Sequence, residues 1–138
     1  MSTDEELLTK LKAFTTQLYS IQKQVINNLN ISSSEYKVLS MLSFHEELSQ
    51  SALSDLCYMD KPATSRIIRK MNTSNLINKK KKVGNKKIVY ISLSDKGKLL
   101  ANKILNEYQE ARKKQFENLN ESDKLSLIKL IDKVLIEN

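Results

Sequence analysis

Apolar residues Leu7, Leu11, Phe14, Leu18, Ile21 and Val25 recur at spacings of 4, 3, 4, 3 and 4. That heptad stripe requires one long helix with a narrow apolar seam, from about Thr3 to Leu29. Ser2, with Glu5 three residues on, supplies a capping box at its start. At ~1.5 Å per residue the helix is roughly 35–40 Å long, so it overhangs a domain of this size and something else must cover its far end. Ser32 and Glu35 open a second helix in the same way, carrying Tyr36, Val38, Leu39, Leu42 and Phe44. A short third helix, about Gln50 to Cys57, turns Leu53, Leu56 and Cys57 inward.

Asp60 can cap a fourth helix, with Pro62 in the first turn, where a missing N–H is harmless. Thr64, Ile67, Ile68 and Met71 share one face of it, and Pro62, Ser65, Arg66 and Arg69 share the opposite face. One face is for packing, and the other is basic and free. At Asn75, a residue that tolerates the left-handed conformation of helix ends, the period changes. Two β-prone arms, Leu76-Ile77-Asn78 with the lysines that follow and Lys86 to Leu93, flank a Gly84-Asn85 turn and predict a hairpin. Ser94 caps another long helix with Leu100, Ile104, Tyr108 and Ala111 along one side. Asn120 opens the last, in which Leu125, Leu127, Ile128, Leu130, Ile131, Val134 and Leu135 wrap past half the circumference. A monomer's surface helix shows one narrower stripe, so this pattern predicts burial between two subunits.

The 138 residues fit one domain with a core of its own, and Gly (2) and Pro (1) are too scarce for a turn-rich all-β fold. No apolar run approaches the ~18 residues of a membrane span, so no membrane partner is expected. The acidic, polar N-terminus is unlike a targeting peptide, and lone Cys57 cannot form an intrachain disulfide; a cytoplasmic location is expected.

Charge changes the picture once it is located. The chain carries a net +7, but residues 61–98 hold 12 basic residues and one acid, Asp95, while the rest is net acidic. An excess confined to one stretch is the electrostatic footprint of a polyphosphate partner, although a solvated charged loop would look alike by charge alone. The helix order, with a basic helix and a basic hairpin at the centre, predicts a mainly α fold with a small β-hairpin wing, a winged helix-turn-helix. In that motif the second helix enters the major groove N-terminal end first, and its first turns read base edges. Here those turns present Lys61, Pro62, Ala63, Ser65 and Arg66, with Arg66 the best match to guanine and Pro62 and Ala63 placed for thymine methyls. Arg69 and Lys70, a turn later, suit phosphates. Lys79, Lys80, Lys81, Lys82, Lys86 and Lys87 of the wing suit phosphates or the minor groove.

Over essentially its whole length the chain resembles the MarR/SlyA family of winged helix-turn-helix regulators. The match is carried by Ile31-Ser32 with Val38-Leu39 and Leu42, Leu48-Ser49-Gln50 with Leu53, Lys61-Pro62-Ala63-Thr64-Ser65-Arg66, Asn75-Leu76-Ile77, and Leu93-Ser94-Asp95-Lys96-Gly97. The resemblance implies a DNA-binding part over 31–93 and dimerisation helices in 1–30 and 94–138. It implies a homodimer on a palindromic double-stranded DNA operator, released by a small ligand or by oxidation. It also places an effector pocket between the dimerisation helices and the winged part, with Phe14, Leu18, Tyr36 and His45 as conceivable lining. One departure is in the wing, where the family usually has Asp-x-Arg. Asn85-Lys86-Lys87 stands there, so Lys87 takes the place of an arginine that enters the minor groove, and Lys lacks its planar fork.

Competing chemistry is thin. Cys57 could sense oxidants, but an inward position makes it a small apolar residue instead. His45, the only histidine, could line a pocket or simply end a helix, and one His with one Cys is too few ligands for zinc. No Gly loop cradles a phosphate, no nucleophile–base pair is evident, and neither an enzyme nor a cofactor is expected. The rival reading is a non-specific nucleic-acid or nucleoid-binding protein, which the lysine-rich wing favours. A protein-interaction module without nucleic acid is the remaining class.

Overall fold

Short polar side chains set where each helix begins. In the computed structural model, which describes residues 1–82, 84 and 88–135, Ser2 accepts from the Glu5 N–H and Glu5 reaches back to the Ser2 N–H, opening α1 (Thr3–Asn28). Ser32 and Glu35 do the same for α2 (Ser33–Ser43), and Asn120 and Asp123 for α6 (Glu121–Val134). Ser49 caps α3 (Gln50–Leu56), Asp60 caps α4 (Lys61–Thr73) and Ser94 caps α5 (Asp95–Phe116). Each cap satisfies a backbone donor that the first helical turn leaves without a partner.

The hairpin is present as β2 (Ile77–Lys81) and β3 (Val89–Leu93), antiparallel with Ile77 opposite Leu93 and Lys81 opposite Val89. Gly84 has φ 91, in the left-handed region that glycine tolerates, where the turn is expected. Lys86 and Lys87 lie outside the described residues. A third strand, β1 (Leu48–Ser49), pairs with the far side of β3, giving the order β1-β3-β2. Two residues cannot show an alternation, so this strand has no signature in the sequence.

The core gathers Val38, Leu39 and Leu42 of α2, Leu53 of α3, Ile67, Ile68 and Met71 of α4, Ile77, Ile91 and Leu93 of the sheet, and Ile104 and Tyr108 of α5. The stripe of α1 grades into it: Leu7 is 53% exposed, Phe14, Leu18 and Ile21 are half-buried, and Val25 is buried. Phe14 meets Phe116 of α5 with ring centroids 6.2 Å apart. The apolar side chains of α6, from Leu125 to Val134, are all exposed on the single chain. One expected inward position is corrected: Leu56 is 41% exposed, because α3 ends there and the chain turns. Phe44, read as part of the second helix, is its C-cap and is 81% exposed.

The wing joins α5 through a close backbone contact. The Ser94 N–H donates to the Leu76 carbonyl (3.0 Å), the Ser94 hydroxyl donates to the Asn75 carbonyl (2.6 Å), and the Gly97 N–H donates to the Ser94 hydroxyl (3.0 Å). A Cβ on Gly97 would stand 2.1 Å from the Leu76 carbonyl oxygen. That contact accounts for glycine in the first turn of a helix, where it otherwise costs stability. Gly97→Ala is therefore expected to destabilise the fold by about 1–3 kcal/mol, read by urea denaturation. An unchanged midpoint would contradict the close approach.

Candidate nucleic-acid interface

The sequence gives α4 two unlike faces, and its neighbours fix which one turns in. Pro62 occupies the first turn, and the Ala63 N–H donates to the Asp60 carboxylate at 2.7 Å. The Thr64 hydroxyl accepts from the buried Ser54 of α3 (2.8 Å) and donates to the Asp60 carbonyl (2.8 Å). Below it Ile67, Ile68 and Met71 are buried. With that face inside, Lys61, Pro62, Arg66 and Arg69 are exposed on the other side. Ala63 and Ser65 are half-buried, and Ser65 accepts from the Gln50 amide at 2.9 Å.

Beside this helix the ribbon presents Lys79, Lys80 and Lys81, all exposed. In the β2–β3 register Lys79 and Lys81 share a sheet face with Ile77, and Lys80 stands on the other, opposite Tyr90. Cationic side chains therefore leave the ribbon on both faces. Gln50, Lys61, Ser65 and Tyr90 line a cleft of about 470 Å³ between the ribbon and the two central helices.

Two of the sequence-predicted lysines already have protein partners. Lys70 pairs with Glu35 at 3.0 Å, bridging α4 to the start of α2. Lys82 pairs with Glu47 and stands 4.3 Å over the Tyr90 ring, and the hydrogen bond from Glu47 raises its pKa above the ordinary lysine value. Both pairs are partly exposed, so phosphates can compete for these lysines. Sequence reasoning gave Glu35 only a capping role and Gln50 only a place in the family motif, and it did not single out Glu47.

Of the four residues proposed for an effector pocket, Tyr36 and His45 line adjoining clefts, and neither lining includes Phe14 or Leu18. Tyr36 lines a cleft of about 310 Å³ between α2 and α5, with Tyr108 and Arg112. His45 lines an adjoining cleft of about 730 Å³ that runs to the root of the wing, and Phe44 and Asn102 border both. Phe14 and Leu18 are half-buried on α1, where Phe14 packs on Phe116. The Tyr36 and Tyr108 rings lie 5.7 Å apart, and the Arg112 guanidinium is 4.5 Å over Tyr108. Burial first, and then the neighbouring Tyr36, push the Tyr108 phenol well above its usual range, so it stays a hydrogen-bond donor. His45 is exposed, with Nδ1 2.8 Å from the Met41 carbonyl, beyond the end of α2. Among the described residues no group of three His, Cys, Asp or Glu is placed to hold a metal, and no helix is long and apolar enough to cross a membrane.

A helix-turn-helix with a cationic outer face, flanked by a lysine-bearing β-ribbon, defines a winged helix-turn-helix protein. Residues 31–89 match the model of the MarR family, so this central part of the chain is similar to that family. The chain is 26% identical over 106 residues (77% of this chain, 72% of the relative) to the organic hydroperoxide resistance transcriptional regulator of Bacillus subtilis (strain 168). Its fold superposes on a MarR family protein from Bacillus stearothermophilus with a TM-score of 0.83, at 19% identity, covering 97% of this chain and 95% of the other. NadR in complex with 4-hydroxyphenylacetate gives a TM-score of 0.71 at 20% identity, covering 97% and 92%.

Cys57 is 4% exposed at the end of α3, and burial pushes its thiol up, with Lys37 acting weakly in the opposite direction. A reactive sensor thiol needs access and a lowered pKa. The unfolded thiol ionises near pH ~8.5 and the folded one only above that, so this group destabilises the fold as pH rises past ~8.5. At pH 8 an aromatic disulfide reagent should modify native Cys57 at least about tenfold more slowly than in urea-unfolded chain. Equal rates would contradict its burial.

Proposed function

We propose that the chain is a homodimeric, sequence-specific DNA-binding regulator of transcription, released from a palindromic operator by a small ligand. The observation that carries this is α4 itself: its apolar side is locked into the core, which leaves Lys61, Arg66 and Arg69 facing out beside the lysines of β2. Helix and ribbon together offer what a duplex needs, side chains for base edges and cations for flanking phosphates. Such a protein works in the cytoplasm, with the DNA.

The dimer is supported by surface that a lone chain leaves in water. Leu125, Ile128, Leu130 and Val134 of α6 and Leu7, Leu8 and Leu11 of α1 are exposed at opposite ends of the sequence. Apolar surface of that extent marks an interface. A two-fold partner would set two α4 helices roughly 34 Å apart, one helical turn of DNA, which is the reason for a palindrome. The effector reading is supported by the Tyr36–Tyr108 cleft, which lies next in sequence to Glu35 and hence to the ion pair with Lys70 of α4. That NadR binds 4-hydroxyphenylacetate supports a ligand role for a cleft on this fold.

Selection of bound sequences from a random duplex pool tests the reading. It should return a palindrome, and a specific-to-random affinity ratio near one would favour non-specific binding instead. Arg66→Ala should weaken operator binding by about 1–3 kcal/mol and relax base preference at one position per half-site, seen by repeating the selection. Lys80→Ala should lower affinity for every duplex alike and flatten the dependence of log Kd on log salt, measured by titration at several salt concentrations.

A further inference from the structure

Among the described residues, α1, α3 and α4 close with the same backbone motif. At the end of α1 the Asn30 N–H donates to the Asn27 carbonyl (3.2 Å) and the Ile31 N–H to Ile26 (3.2 Å). At the end of α4 the Asn75 N–H donates to Asn72 (3.1 Å) and the Leu76 N–H to Met71 (2.9 Å). At the end of α3 the Tyr58 N–H donates to Asp55 (3.2 Å) and the Met59 N–H to Ser54 (3.0 Å). In each the pivotal residue is left-handed, with φ 56 at Asn30, 61 at Asn75 and 53 at Tyr58, and an apolar residue follows.

This conformation suits glycine and asparagine, and a bulky side chain there is strained. Twice the chain uses asparagine. At the third closure it uses tyrosine, and packing gives nothing in return, because Tyr58 is 95% exposed. The odd closure is also the turn of the helix-turn-helix. Tyr58 lies two residues before Asp60, the cap of α4, at the end of that helix which leads into the groove. Strain kept at an exposed position points to a contact made elsewhere than in the free fold.

We propose that Tyr58 is a DNA-backbone contact: its ring lies on the sugar edge beside the groove and its hydroxyl donates to a phosphate oxygen. The proposal rests on the DNA-binding reading above. A phenol offers an apolar face and one donor, which matches deoxyribose and phosphate and carries no base preference. Because the side chain is neutral, the contact strengthens binding without releasing a counterion.

The test compares wild type, Tyr58→Asn and Tyr58→Phe. Asparagine is the residue the chain itself uses at the other two closures, so Tyr58→Asn should melt at or above the wild-type temperature. Its affinity for duplex should fall about tenfold, equally on selected and random sequence, with the salt slope unchanged. Tyr58→Phe, which keeps the ring and loses the donor, should fall between the two. Wild-type affinity in Tyr58→Asn, or a marked drop in its melting temperature, would overturn the proposal and leave the DNA-binding reading standing. Failure of the wild-type protein to bind duplex at low salt would overturn both.

Discussion

The arrangement depends on how α4 is seated. Its inner face carries Thr64 followed by Ile67, Ile68 and Met71, and the Ser54–Thr64–Asp60 hydrogen bonds pin the top of that face against α3. Burying each of the three large side chains is worth about 1.5–3 kcal/mol, so rotating the helix to hide its cations would forfeit most of the local packing. The Ser54 hydroxyl reaches Thr64 in this orientation, and a rotated helix would leave that buried hydroxyl without this partner, which is costly. The position of Arg66 and Arg69 is thus a consequence of what lies behind them.

The wing is held with comparable economy. Leu76 supplies both the first residue after the left-handed closure of α4 and the carbonyl that receives Ser94, and Gly97 lets α5 approach that carbonyl. The end of α4, the ribbon and the first turn of α5 meet within a few residues of chain. A displacement of α5, which borders the Tyr36 cleft, would be felt at the ribbon root, and Glu35–Lys70 gives α2 a separate hold on α4. Both connections run from the clefts toward the cationic surface.

Most of this was legible in the sequence because it rests on local rules. Caps at Ser2, Ser32, Asp60, Ser94 and Asn120, the two faces of α4 and the change of period at Asn75 each involve residues within a turn of one another, and each appears as read. What escaped depends on contacts distant in sequence. β1 exists only because β3 offers it an edge, and Lys70 and Lys82 meet Glu35 and Glu47 across some 35 residues that no pattern links. Phe14 and Leu18 share a stripe with residues of the core and are half-buried, and neither is among the residues lining the clefts of Tyr36 and His45. Glycine in the motif after Leu93 was visible as a resemblance, and its cause, the Leu76 carbonyl, required coordinates.

The central claim is that the face of α4 opposite the core, together with β2, is the surface that meets duplex DNA. Titrating a short duplex containing the selected sequence into isotope-labelled protein and following backbone amide resonances tests it most directly. The account predicts that shifts concentrate at Lys61–Arg69 and Asn78–Lys81 while the amides of α6 stay in place. Shifts centred on α6 or the first turns of α1, with α4 and the ribbon unmoved, would contradict it.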